Sequence, residues 1–228
     1  GVSFACGHCQ SSCITYWASK HLWLVATKIS KYCVDMKTLI VLAHPDDELL
    51  FGWPILQEAG DKELLICSSD ANNPKRQWCA HRKDALAKVC TQLGITWSCL
   101  DYSSSFYLTD SRSGDLKRLC ETIQAAISTH SFDAIFTHNP HGEYGHLDHC
   151  LLFSLILATT QAPIYFTDIQ LHVNWPVLQS SYYYGNKISD HELDIQWFDN
   201  LAKHYKDMNV WTWNNKMSTK CGLYCLQK

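Results

Sequence analysis

Apolar residues fall along the chain in short unbroken runs separated by longer stretches of helical spacing. Thr38-Leu39-Ile40-Val41-Leu42 is the clearest run, and because it is short and stops just before a Pro it reads as a buried strand. Further strands are read at Glu63 to Ser68, Ile95 to Leu100, Asp133 to Thr137 and Pro163 to Thr167. Between them the pattern changes period. Glu48 to Ala59 reads as a helix interrupted at Trp53-Pro54 and ended by Gly60, and Lys75 to Leu93 as a helix ended by Gly94. Gly114 to Thr129 carries Leu116, Leu119, Ile123 and Ile127 at helical spacing, and another helix runs from about Leu147 to Thr159. Asp190 to Met208 reads as a last helix with Leu193, Trp197, Leu201 and Tyr205 on one face, followed by a Trp-rich tail, Trp211 to Trp213. Strands alternating with helices predict an α/β fold: a Rossmann-like, mostly parallel sheet with helices on both faces.

A chain of 228 residues is long enough for one such domain with a real core. Met36-Lys37 looks like the start of that domain, so the expected organisation is an N-terminal extension of unread fold over 1–35 and one domain over 36–228. A formal charge of -3 and scattered Lys and Arg argue against a nucleic-acid partner. The apolar stretch Ile14 to Ile29 is broken by Lys20, His21 and Lys28, so no membrane span is expected, and Gly1 to Cys13 has no basic region leading into an apolar core.

Twelve cysteines change the picture less than their number suggests. Cys67, Cys90, Cys99, Cys120 and Cys150 lie inside predicted strands or helices, where cysteine behaves as a small buried hydrophobe. They read as thiols in a reducing, cytoplasmic setting. Two close pairs stand apart: Cys6 with Cys9, and Cys221 with Cys225, which could together close a Cys₄ structural metal site, or form disulfides in an oxidising compartment.

The chemistry concentrates where strands end. His44-Pro45-Asp46-Asp47-Glu48 puts a histidine and three carboxylates into five residues directly after the first strand, and in open α/β sheets ligands bind at that edge. A second cluster, His138 to His149, follows the strand at Asp133 to Thr137. His44 and Asp47 are three apart on a strand-to-helix turn, and His146 and His149 are three apart at a helix entrance, where such pairs share a face. One His-Asp pair and one further His make a three-ligand site with an open position, the donor set of a catalytic zinc and also of a non-haem Fe(II) centre. Asp46 is then free to take a proton, and a protonated His146 could stabilise an oxyanion. Glu48 has a blander reading as a helix-entrance carboxylate, Asp148 as a solvated one or as a partner of a histidine, and the other histidines as ordinary surface or core residues.

Ala43-His44-Pro45-Asp46-Asp47-Glu48 and Gly142-Glu143-Tyr144-Gly145-His146-Leu147-Asp148-His149 resemble the two signature motifs of the LmbE-like, or PIG-L, family of zinc-dependent N-deacetylases, and the resemblance covers about Lys37 to Thr167 and, more loosely, a C-terminal helix with Lys203-His204-Tyr205-Lys206. It implies that His44, Asp47 and His149 hold one zinc and that Asp46 is the general base. It further implies that His146 is the acid or oxyanion stabiliser, that Asp148 orients it, that Tyr144 lines the pocket, and that Arg82 lies near a basic substrate-binding position. The implied reaction removes an acetyl group from an N-acetylglucosamine-type glycoconjugate or small molecule. Two alternatives stay open: an amidase for a non-sugar N-acyl substrate, and a catalytically silent carbohydrate-binding relative. A nucleotide-dependent oxidoreductase is disfavoured, because the first strand is not followed by a Gly-rich pyrophosphate turn. Trp78, Tyr107 and Trp175 are candidate sugar-stacking rings.

Overall fold

The computed structural model describes residues 36–69, 78–102, 113–129, 132–169, 185–214 and 217–227. The N-terminal extension, Cys6, Cys9, Tyr107 and Trp175 lie outside the described residues. The chain runs β1 (Thr38–Leu42), α1 (Asp47–Leu50), α2 (Trp53–Leu56), β2 (Lys62–Ser68), α3 (Trp78–Leu93), β3 (Thr96–Tyr102), α4 (Ser113–Thr129), β4 (Ala134–Thr137), α5 (Gly142–Gly145), α6 (Leu147–Thr159), β5 (Ile164–Thr167), β6 (Asn186–Glu192), α7 (Ile195–Asp207) and β7 (Lys220–Leu226).

The strands form one seven-stranded sheet in the order β3-β2-β1-β4-β5-β7-β6. β1 to β5 are parallel, with β1 paired to β2 on one side and β4 on the other. Strand alternation divides β1 between two cores: Ile40 and Leu42 face α2, α3 and α7, whereas Leu39 and Val41 face α4 and α6. Ile40, Val41 and Leu42 are inaccessible to solvent. Each such side chain contributes about 1.5–3 kcal/mol of burial free energy, which a polar residue in the interior of the run would forfeit. Among the described residues no helix is long and apolar enough to cross a membrane.

Two features differ from the sequence expectation. The expected helix over Glu48 to Ala59 is two single turns, α1 and α2. Pro54 sits in the first turn of α2 and supplies no N–H to a helix running through it, and a Cβ on Gly52 would stand 2.8 Å from the Glu48 carbonyl oxygen. At the other end, Asp190 does not begin a helix. Asp194 caps α7 by accepting the N–H groups of Gln196 and Trp197, at 2.9 and 3.1 Å, and the residues before it form β6. β7 inserts antiparallel between β5 and β6, so the parallel sheet carries an antiparallel edge. Cys221 and Cys225 both lie on β7, four residues and therefore roughly 13 Å apart along an extended strand. Thiolates at that separation cannot bind one ion, so the proposed Cys₄ site is ruled out. Cys67, Cys90, Cys99, Cys120 and Cys150 are thiols, as their element positions suggest.

This topology locates the chemistry. The chain leaves β1 toward β2 and β3, then returns to β4 on the opposite side, so the loops after β1 and β4 separate at a crevice. Val41 and Thr137 are the last register partners of that pair, which brings both motifs side by side.

Candidate metal centre

Residues 43–47 turn sharply off β1. The Asp47 carboxylate folds back to accept the His44 N–H at 2.7 Å, and the Asp47 N–H donates to the His44 carbonyl at 3.2 Å. Between them Asp46 adopts φ 94°, a left-handed conformation that costs a non-glycine residue about 1–3 kcal/mol. Three contacts hold it there: its N–H donates to Glu48 Oε2 at 2.8 Å, Arg82 Nη2 donates to Oδ1 at 2.5 Å, and the Thr212 hydroxyl donates to Oδ2 at 3.0 Å. The same Arg82 guanidinium also donates to the Pro45 carbonyl. Glu48 in turn accepts the Tyr205 hydroxyl at 2.7 Å, tying the turn to α7.

The second loop is also strained. Gly142 (φ 63°), Glu143 (φ 57°) and Gly145 (φ 84°) are left-handed, and this reversal delivers His146 and His149 to the first turns of α6. His146 caps that helix, its Nδ1 accepting the Asp148 N–H at 3.2 Å, which leaves Nε2 as the protonated ring nitrogen of the neutral side chain.

Three of the expected ligands converge. His44 Nδ1, Asp47 Oδ2 and His149 Nε2 form a triangle with edges of 3.3, 3.4 and 3.4 Å. A tetrahedral ion with bonds of about 2.0–2.2 Å requires its ligand atoms to be roughly 3.3–3.5 Å apart. The outer nitrogens fit as well: His44 Nε2 is 3.1 Å from Asp148 Oδ2, and His149 Nδ1 is 2.6 Å from Glu143 Oε2. Carboxylates behind both imidazoles are the usual support of histidines that bind a metal. The residues present therefore fit a divalent cation.

Two other sets also lie close enough to share an ion, His44 with His146 and His149, and Asp47 and His149 with His138. The nitrogens of His138 are committed elsewhere. Nε2 accepts the Ala43 N–H at 3.0 Å, extending the β1–β4 contact by a side chain, and Nδ1 is 3.1 Å from Glu143 Oε2. The ring stacks flat on His149 with centroids 3.7 Å apart.

The remaining expected residues surround the triangle. The His146 ring stacks on His149 at 4.4 Å and meets His44 edge-on at 4.9 Å. Tyr144 lies 5.5 Å from the His146 ring and 5.7 Å from Trp213, with Phe51 beneath. The Asp148 carboxylate faces His44, while its backbone N–H serves His146. Arg82, expected near substrate, is drawn onto Asp46, because a buried carboxylate beside Asp47 needs a cation. Sequence reasoning missed His138, Glu143, Thr212, Trp213 and Tyr205 as site residues. Glu143 had a signal, a carboxylate inside a Gly-flanked turn, whereas Thr212 lies 166 residues from its partner and had none.

Electrostatics sort the carboxylates. Burial pushes Asp46 up to about 6, with Arg82 opposing, so it is ionised at neutral pH yet basic. Burial also acts on Asp47, but the surrounding histidines, His149 foremost, hold it well below the ordinary range. His44 rises to about 9, since Asp148 and Asp47 outweigh its burial, while burial and the neighbouring His138 depress His149 to about 4.

Comparison with known proteins now adds to this geometry. The family model described as PIG-L, GlcNAc-PI de-N-acetylase, matches residues 39–160, more than half of the chain. Uncharacterized protein L374 of Acanthamoeba polyphaga mimivirus is 24% identical over 160 residues, 66% of this chain, and the match spans 64% of that relative's length. Among solved structures, the zinc inhibited form of teicoplanin deacetylase Orf2 superposes with a TM-score of 0.58 at 12% identity, over 83% of this chain and 97% of that one. The A40926 pseudoaglycone deacetylase Dbv21 gives 0.55 at 13% identity, over 83% and 96%. GalB, the 4-carboxy-2-hydroxymuconate hydratase from Pseudomonas putida KT2440, gives 0.51 at 14% identity, over 85% and 97%. These structures share the fold; their reactions differ.

Proposed function

This chain belongs to the PIG-L family of GlcNAc-PI de-N-acetylases, and from that premise we propose that it is a zinc-dependent N-deacetylase acting on an N-acetylglucosamine-type conjugate. The observation that carries the proposal is the triangle of His44 Nδ1, Asp47 Oδ2 and His149 Nε2, with an Asp46 carboxylate that feels the charges of Asp47 and His44. His44, Asp47 and His149 would hold the metal. When bound, such an ion makes a water acidic near neutral pH and polarises an acyl carbonyl.

The residues of the chain divide the proton work. Asp46, ionised and gripped by Arg82 and Thr212, takes the proton of the attacking water as its oxygen bonds to the acetyl carbon. His146, with Nδ1 engaged by the Asp148 N–H, offers its Nε2–H as a hydrogen bond to the developing oxyanion, and the proton taken up by Asp46 passes to the departing nitrogen. The C–N bond breaks, giving acetate and a free amine. Tyr144 lines the pocket beside the carbonyl, and Asp148 steadies His44 as well as the turn that carries His146.

The test pairs metal analysis with product detection. One zinc per chain should be present, chelation should abolish turnover, and acetate should be released from N-acetylglucosamine conjugates in preference to simple N-acyl amino compounds. Full activity after exhaustive chelation would end the proposal, and a reversed preference would make the protein an amidase of non-sugar substrates.

A further inference from the structure

Glu143 is fully buried and carries more of the site than its place in the motif suggests. Its two carboxylate oxygens meet three N–H groups: Oε2 faces His149 Nδ1 at 2.6 Å and His138 Nδ1 at 3.1 Å, and Oε1 accepts the Asn139 N–H at 2.9 Å. Asn139 returns the contact. Its Oδ1 accepts the Glu143 N–H at 3.1 Å and the His141 N–H at 3.0 Å, while its Nδ2 donates to the Ile169 carbonyl at 3.0 Å. Glu143 is thus built into a closed loop of hydrogen bonds, and its left-handed φ of 57° is the conformation that loop requires.

We infer that Glu143 is the positioning residue that fixes His149 as the Nδ1–H tautomer, with Nε2 turned to the metal, and that it thereby sets the affinity of the centre for zinc. The inference rests on the proposed metal-dependent reading of this site. A neutral imidazole has one donor and one acceptor nitrogen, so an obligate acceptor at Nδ1 leaves the lone pair at Nε2. His138 contributes rigidity. Its Nε2 is occupied by the Ala43 N–H, its Nδ1 by the same Glu143 oxygen, and its ring covers one face of His149 at 3.7 Å. One carboxylate therefore aligns two parallel imidazoles, one that binds the metal and one that binds the backbone of the first motif. Glutamine cannot reproduce this. Whichever way its amide is turned, it has one acceptor oxygen for three donors, and its NH₂ group faces an N–H. Aspartate keeps the charge but is one methylene too short to serve both rings and Asn139.

The experiment uses the whole chain, stripped of metal and titrated with zinc against a chromophoric chelator. Glu143→Gln should weaken zinc binding roughly 10- to 100-fold, the usual cost of losing a carboxylate behind a histidine ligand. Long-range ¹H–¹⁵N spectra of the metal-free wild type should show His149 protonated at Nδ1, and Glu143→Gln should shift it toward the Nε2–H form. A residue that merely supported the fold would lower the melting temperature without changing the tautomer. Unchanged zinc affinity in Glu143→Gln, or an Nε2–H His149 in the wild type, overturns the inference. The wild-type spectrum decides the question even if the variant does not fold. A wild type that binds zinc, with binding lost in His149→Ala but intact in Glu143→Gln, defeats this inference alone. A wild type that binds no zinc defeats the proposed function with it.

Discussion

Replacing Glu48 by glutamine should remove a pH-dependent burden from the metal-free protein. The side chain is wholly buried, and burial pushes its carboxyl up from an ordinary 4.5 to about 8, with the Tyr205 hydroxyl opposing and Asp46 adding to the rise. A carboxyl raised on folding binds its proton more tightly in the folded state. Its contribution to stability is therefore fully present below about pH 4.5 and is lost as pH rises through about 8. The gap between those two values corresponds to on the order of 5 kcal/mol, and relaxation or water entry reduces this to a few. Glutamine keeps the shape: its oxygen can accept the Asp46 N–H and its NH₂ group can donate to the Tyr205 oxygen, with no charge to desolvate. Urea unfolding of chelated wild type and Glu48→Gln at about pH 5, 7 and 9 gives the difference directly, because titrations common to both proteins largely cancel. The two should be nearly equal at the lowest pH, with the variant gaining about 2–5 kcal/mol relative to wild type by the highest. A difference that stays constant across the range would refute the reasoning and mean that Glu48 is not a buried, proton-binding carboxyl.

The adjacent aspartates should separate by function: Asp46→Asn retains zinc by elemental analysis but loses turnover by roughly 10²- to 10⁴-fold, whereas Asp47→Asn loses zinc. Equal metal loss in both would mean that the two roles are reversed or shared. Gly142→Ala should cost about 1–3 kcal/mol in thermal unfolding, since the new Cβ would stand 2.8 Å from Cys150 Sγ at a φ of 63°; unchanged stability would show that the turn yields freely.

What could be read from the sequence follows where the physics is local. The buried run of β1 and the stripe of α4 each declare their element by a single period, and both lie where that period puts them. β6 and β7 do not. Asn186–Glu192 is a largely exposed strand near the sheet edge, with polar residues at most positions, so it lacks the alternation that marks a half-buried strand. Leu193 then stands in helical register with Trp197, Leu201 and Tyr205, which draws the expected start of α7 back into β6. Ligand candidates were legible because His44 with Asp47 and His146 with His149 are close in sequence. The supports of Asp46 were not: Arg82 is 36 residues from Asp46 and Thr212 is 166 away, so only the folded chain pairs them.

The Asp46 turn is held from both sides of the chain. Residues 44–149 contain every atom of the triangle, whereas Tyr205 and Thr212, which hold Glu48 and Asp46, come from a later segment beyond the matched family region. On the proposed reading, capture of the ion and control of the base therefore rest on separate stretches of the chain. A graft of the two motifs alone would carry over a metal trap without its tuning, and exchange of the segment after β5 between relatives would alter the pace of the reaction while leaving the ion's cage intact.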